Sequence, residues 1–273
     1  MKSLLGCGIG LLALTAGPVS VNAADLPLMP APAGSIYSWS GFYVGGTVGG
    51  AWGTLDPVTS TSFVPLVGYF GAAGDVGAVN AAGVQRINRS GVTVGAEAGY
   101  NWQFGNIVAG IEADIESIRL SGSAVSGPNL YASVPSTFTI ASSASANWLF
   151  TTRPRIGWAA NNWLFYATGG LAVTNLNAVF AFNDTFASAV EGASISNTRL
   201  GYTVGGGIEA GLWDRWTLKV EYLYVNFNSV SVTSTNLVVL SQALATVPIP
   251  AQQFTHSVDL KANIARVGLN YRF

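Results

Sequence analysis

The segment from Asn263 to Phe273 reads NIARVGLNYRF. In an extended strand, Ala265, Val267, Leu269, Tyr271 and Phe273 share one face, and Arg266, Gly268, Asn270 and Arg272 share the other. A chain surrounded by water seldom ends on an exposed aromatic strand, whereas a barrel has to close its first strand onto its last. The stretch therefore predicts a transmembrane β-barrel. Composition agrees: 9% of the 273 residues are charged and 49% are apolar, against about 25% charged in an ordinary soluble domain. Beyond the amino terminus there is no apolar run of the ~20 residues that a spanning helix needs. Only helices and closed barrels satisfy their backbone in lipid, so a membrane reading of this chain has to be a barrel reading.

The amino terminus has its own pattern. Lys2 precedes an apolar stretch from Leu4 to Leu14, followed by Gly17-Pro18 and the small-residue site Val21-Asn22-Ala23. This predicts a signal peptide over residues 1–23, cleaved between Ala23 and Ala24. Leu4-Leu5-Gly6-Cys7 lies before the apolar region rather than after it, so lipidation is not expected and the mature chain has no cysteine. Pro27, Pro30 and Pro32 make residues 24–40 an extended lead-in, and residues 41–273 are assigned to the barrel.

Period-2 alternation recurs eight times. Gly41–Trp52 turns Phe42, Val44, Val48 and Trp52 outward and Tyr43, Gly45, Thr47 and Gly49 inward. Gly91–Gln103 is the clearest strand, with Val92, Val94, Tyr100 and Trp102 opposing Thr93, Glu97 and Asn101. From Ile107 to about Ser117 the inward set holds Val108, Glu112, Asp114 and Glu116. Asn147–Trp158 brings Thr151, Arg153 and Arg155 inward but carries Pro154, which removes a ladder hydrogen bond. Trp163–Thr174 is the least regular, because bulky Leu164 and Tyr166 point inward. Thr198–Leu212 adds Glu209, Trp216–Phe227 adds Lys219 and Glu221, and the terminal strand adds Arg266 and Arg272.

The connections between these strands alternate in length. Residues 54–90, 118–146, 175–197 and 228–257 are long, and residues 104–106, 160–162 and 213–215 are short. The expected fold is all-β: an eight-stranded antiparallel up-and-down transmembrane β-barrel with four long extracellular loops and three short periplasmic turns. Trp102, Trp158, Trp163, Trp213 and Trp216 gather near the short turns, as an interfacial aromatic girdle requires.

Four stretches carry a resemblance: WSGFYVGGTVGGAWG (39–53), the leader end VNAADLP, LKVEYLYVNF (218–227) and the terminal RVGLNYRF. Together they resemble the porin-like small outer-membrane proteins and surface antigens of Gram-negative bacteria, similar to the OmpA transmembrane barrel. The resemblance implies outer-membrane location and contact with membrane lipid and lipopolysaccharide. It also implies handling by periplasmic chaperones and the barrel assembly machinery, with Leu269, Tyr271 and Phe273 in the positions of the assembly signal. The chain departs from OmpA in ending at the barrel, so a cell-wall tether through a further domain is not expected.

The inward residues Glu97, Glu112, Asp114, Glu116, Glu209 and Glu221 face Arg153, Arg155, Lys219, Arg266 and Arg272. Two readings follow. Either the set is a neutralised network that fills a lumen just wide enough for its own side chains, or some of its pairs form a gate on a narrow pore. No enzyme is expected. His256 is the only histidine, so zinc-ligand clusters and Ser-His-Asp arrangements cannot be assembled in any plausible number, and no metal or cofactor is expected. His256 itself is expected at a strand–loop junction without special chemistry. Gly205-Gly206-Gly207 is not followed by a helix start and suits a curved strand better than a phosphate loop. With 12 basic and 13 acidic residues there is no basic excess for nucleic acid.

The long connections are rich in Ser, Thr, Ala and Val. As loops they offer Tyr69, Tyr131 and His256 as first candidates for a surface ligand. The alternative is that the strands simply continue beyond the membrane. The functional expectation is a structural envelope protein and surface antigen with at most a narrow gated pore. The alternatives are a diffusion porin, or an adhesin or receptor acting through its loops.

Overall fold

A strand tilted by ~40° crosses the ~25 Å apolar band of an outer membrane in about ten residues. The ring strands of this chain run for 18 to 24 residues. The computed structural model describes residues 37–213, 215–240 and 246–273. The expected signal peptide and nearly all of the lead-in lie outside the described residues.

The elements are β1 (Gly41–Thr61), α1 (Ala73–Ala82), β2 (Ile87–Phe104), β3 (Ile107–Leu130), β4 (Thr137–Ala160), β5 (Trp163–Asp184), β6 (Val190–Gly211) and β7 (Trp216–Ser234). They are followed by β8 (Val238–Leu240), β9 (Thr246–Pro248) and β10 (Phe254–Arg272). β1 to β7 pair in sequence, each antiparallel to the next. β10 then pairs with β7 on one side and with β1 on the other, from Tyr43↔Arg272 to Thr61↔Phe254. Eight strands thus form a closed ring. β8 and β9 are a small hairpin that joins β6 only at Val190↔Val238.

The eight-strand count and the inward and outward faces agree with the expectation inside the apolar band. Val48, Val92, Ile111, Ile156, Leu171 and Leu200 are exposed on the outer wall, while Thr47, Glu112, Thr151 and Lys219 are buried inside. Aromatic residues rim the band at both ends. Trp102, Trp158, Trp163 and Phe273 are exposed near the short turns, and Trp52, Tyr202 and Tyr222 are exposed at the opposite edge. Pro154 is tolerated because β4 and β5 leave the Arg153 and Pro154 positions unpaired, and Thr168 Oγ1 donates to the Pro154 carbonyl at 2.9 Å.

The strand ends differ from expectation. Residues 118–130, 137–146, 175–184 and 190–197, expected as loop, are strand, leaving connections of only 131–136 and 185–189. The reason is an inversion of polarity along each strand. On β10 the inward residues change from Phe254, Val258, Leu260 and Ile264 to Arg266 and Asn270, all buried. The outward residues change from Thr255, Ser257, Asp259 and Lys261 to Val267 and Leu269. β5 changes in the same way, from Leu176, Phe180 and Phe182 inside to Leu171 and Phe165 outside. Above the aromatic edge the outer face becomes more polar and the interior becomes an apolar core. At ~3.3 Å per residue and ~40° tilt, the 24 residues of β3 give about 60 Å of height, over twice the apolar band.

The connection from β1 to β2 contains α1, which the sequence reading leaves as loop. Val76 and Val79 are buried one helical turn apart beneath it, against Phe70, Phe138, Phe182 and Phe254. Gly83 ends the helix, donating its N–H to the Val79 carbonyl at 2.8 Å. A Cβ at Gly83 would come within 1.9 Å of the Thr59 carbonyl, so only glycine lets the helix end lie against β1.

The ring closes tightly at the β1–β10 seam. A Cβ at Gly49 would lie 2.2 Å from the Ala265 carbonyl, whereas one at outward Gly50 meets only the Gly91 carbonyl at 3.9 Å. Gly49→Val is expected to lower stability by about 1–3 kcal/mol through overpacking, and Gly50→Ala by less than about 0.5 kcal/mol. Urea midpoints of the heat-modifiable folded band in micelles measure both. Equal midpoints would show that the seam is not sterically limited.

Candidate functional site

The inward charges meet at one level of the lumen. Their strands are neighbours in the ring, and side chains two residues apart share the interior face. Arg266 is the hub. Its guanidinium lies 2.5 Å from Glu221, 2.6 Å from Glu116 and 3.2 Å from Asp114. Arg153 Nη2 bridges Glu112 at 2.6 Å and Asp114 at 2.7 Å. Lys219 Nζ reaches Glu97 at 2.5 Å and Glu112 at 3.1 Å, and Arg155 spans Glu112 at 3.4 Å and Glu209 at 3.2 Å. Six carboxylates therefore face four cations, and neutral donors supplement the pairing. Tyr43 donates to Glu112 at 2.7 Å, Tyr166 to Glu221 at 2.8 Å, Thr47 to Glu116 at 3.0 Å, Thr151 to Asp114 at 2.7 Å and Thr217 to Glu209 at 2.5 Å. Arg155 also lies 4.9 Å from the ring centres of both Tyr43 and Tyr166. Every one of these charges is buried.

Arg272 does not join this set. It sits at the short-turn end, 4.6 Å over the Tyr37 ring, because β10 carries it one inward position past Asn270. At that end Trp39, Val108, Leu164 and Tyr166 pack into an apolar layer, with Tyr37 edge-on to Trp39 at 4.8 Å. The bulky inward Leu164 and Tyr166 of β5 find their place here.

Above the charges lies a larger apolar core that includes Leu55, Leu120, Leu149, Leu223, Phe227 and Ile264. His256 then interrupts the apolar filling. It is not at a strand–loop junction: it is fully buried within β10, because that strand begins at Phe254. Its Nδ1 is 2.9 Å from Thr59 Oγ1 and its Nε2 is 3.1 Å from Glu191, and its ring stacks 4.8 Å from Phe180. Ser234 also donates to Glu191.

The outermost layer is aromatic. Tyr69 and Tyr131 both donate to Asp184 Oδ2, Tyr131 at 2.8 Å, while Asp184 Oδ1 accepts the Ala189 N–H at 2.9 Å. Burial, reinforced by the hydrogen bond to Asp184, pushes both phenols well above their ordinary range. Asp75 of α1 accepts the Ser133 N–H at 2.9 Å and its hydroxyl at 2.5 Å. The sequence reading does not single out Glu191, Asp75 or Asp184. The available signal is that they are rare carboxylates in otherwise uncharged segments.

The model of the outer membrane protein beta-barrel domain matches residues 10–273. The chain belongs to that family. Among its relatives, the 31 kDa outer-membrane immunogenic protein of Brucella melitensis is 29% identical over 276 residues, covering 100% of both chains. The 22 kDa outer membrane protein of Rhizobium leguminosarum bv. viciae is 30% identical, over 76% of this chain and 71% of its own. Among solved structures, the attachment invasion locus protein Ail of Yersinia pestis, in complex with the heparin analogue sucrose octasulfate, aligns with a TM-score of 0.33. It is 12% identical over 84% of this chain and 99% of its own. The family makes this closed ring an outer-membrane barrel.

Two outcomes are expected from this geometry. Arg266→Met leaves Glu221, Glu116 and Asp114 short of a cation and costs about 3–5 kcal/mol, whereas Arg86→Ala, at an exposed pair with Asp56, changes stability by less than about 1 kcal/mol. Urea titration in micelles compares them, and similar losses would contradict the role of Arg266 as hub. The raised tyrosines give a second outcome. Their neutral forms contribute fully below about pH 10 and progressively less above it, as the unfolded chain ionises first. At about pH 11 the tyrosinate absorbance should therefore rise equally in the native barrel and in Tyr69→Phe/Tyr131→Phe. A larger rise in the native protein would mean that these phenols ionise normally.

Proposed function

We propose that this outer-membrane barrel is a plugged structural and surface-display protein rather than a channel. The observation that carries the reading is the order of fillings along the lumen. An apolar periplasmic layer, a cross-paired charge layer, a large apolar core and an aromatic extracellular layer follow one another. Water and ions passing through would have to cross the apolar layers as well as the charges, so rearranging a salt bridge does not by itself open a path. The charge layer thus acts as filling, stiffening the wall through pairs contributed by six of the eight ring strands.

The display half of the reading rests on the extracellular cylinder and on the name immunogenic carried by the Brucella relative. The reading is non-enzymatic: within the charge layer each carboxylate is held by a cation or a hydroxyl. The outward aromatic edge suits contact with lipopolysaccharide and lipid. Leu269 and Phe273 are exposed on the outer face of β10, with Tyr271 between them, and the Phe273 N–H bonds to Phe42 at 2.9 Å. That placement suits presentation of the final strand to chaperones and to the assembly machinery before closure.

Single-channel recording of the refolded mature protein in a planar bilayer tests the reading. No steady conductance is expected from the native chain, from Arg153→Ala or from Arg266→Ala. Sustained openings that change in either variant would establish the charge layer as a gate and overturn the plugged barrel.

A further inference from the structure

The extracellular aromatic layer does more than cap the core, because it leaves a cavity open at its outer edge. The cavity holds about 120 Å³, room for about four water-sized groups at ~30 Å³ each. Tyr69, Phe70, Tyr131 and Phe186 wall it, with Asp75 among the lining residues. The rings are steeply inclined to one another. Tyr69 meets Phe70 at 77° and Phe186 at 71°, and Phe70 meets Tyr131 at 60°, with centroids 5.3 to 6.4 Å apart. Such rings form the sides of a box instead of a stack.

Its electrostatics have one sign. Asp75 accepts only from Ser133, and Asp184 only from two phenols and two backbone N–H groups. Among the described residues, then, every hydrogen bond to these two carboxylates comes from a neutral donor. In the lumen, by contrast, carboxylates are matched with Arg and Lys. Tyr69 and Tyr131 donate their hydroxyl protons to Asp184, which leaves more electron density on their rings. A ring face already attracts cations through its quadrupole, and this enrichment adds to it.

We propose that this cavity binds a small organic cation of the quaternary or methylated ammonium class. The volume matches a trimethylammonium group, the ring walls supply its apolar contact and cation–π attraction, and Asp75 and Asp184 supply the charge. Inorganic cations are a poorer match, since ring faces do not replace their oxygen ligands. The same headgroup occurs on free choline and on choline-bearing lipid.

The refolded mature barrel in a non-ionic alkyl glucoside micelle, titrated calorimetrically with choline, tests the site. Zwitterionic detergents are avoided because they carry competing headgroups. The control ligand is 3,3-dimethylbutanol, which has the same shape without the charge. Choline is expected to bind at least about tenfold more tightly than the neutral analogue. Phe186 is 57% exposed, so Phe186→Leu keeps the fold while removing one ring face. It should weaken choline about fivefold and leave the analogue unchanged. Glycerophosphocholine run in parallel separates the sources: affinity comparable to choline points to a lipid headgroup, and choline alone points to the free cation, both upholding the site. Equal affinity for choline and the neutral analogue, no heat with any of the probes, or indifference to Phe186→Leu would each overturn the proposal.

Discussion

In hydrocarbon an unpaired backbone N–H or C=O has no water to turn to, and each one costs several kcal/mol. The pairing of β1 with β10 along nineteen registered positions removes the last two edges of the sheet. Everything else in the structure follows from closing the ring with eight strands. Its circumference fixes a bore that side chains must fill, and its tilt fixes how many residues each strand spends in lipid. The glycines on the inner face of β1 belong to the same constraint, because a bore this narrow brings the β10 carbonyls close to their Cα atoms.

The filling obeys two solvents at once. Where lipid surrounds the wall, the apolar residues are needed outside, and polar groups are left for the interior. Burying six carboxylates there is tolerable only because four cations and several hydroxyls converge on them. Where water surrounds the wall, the outward face can be Ser, Thr, Asn and Asp, and the interior becomes a conventional apolar core. One unbroken strand crosses between these regimes by exchanging the chemistry of its two faces. On β4 the change coincides with a register shift between Ser145 and Leu149 against β5, so a bulge also resets which parity points inward.

How far this was legible in the sequence follows from the same physics. Inside the apolar band the outward residues are large and apolar, so strands such as Val92 to Trp102 can be read directly, along with the inward side of Glu97, Lys219 and Arg266. Beyond Trp52 and Trp148 the outward residues become small and polar, which imitates loop composition. The continuing inward set of Leu176, Ala178, Phe180 and Phe182 is then the only sign that the strand persists. α1 has little apolar periodicity to offer beyond Val76 and Val79, and it exists because the mouth of the barrel needs cover. The meeting of Tyr69, Tyr131 and Asp184, and that of Thr59, Glu191 and His256, depends on residues more than fifty positions apart. Spacing in the chain does not announce such contacts. Arg272 shares the inward face of β10 with Arg266, yet its distance along the strand puts it below the charge layer.

The long strands also determine what another macromolecule meets above the aromatic edge. Above the aromatic edge much of the outer surface is sheet: the connections at 131–136 and 185–189 have only six and five residues, whereas those at 62–86 and 235–253 are longer. A protein footprint of about 800 Å² is some 28 Å across and strands sit ~4.8 Å apart, and since a closed ring of eight turns only about half its strands to one side, contact with this wall touches about three or four strands at once. Such a contact surface is assembled from distant parts of the chain and vanishes when the barrel is unfolded. Peptides copied from single segments would reproduce little of it.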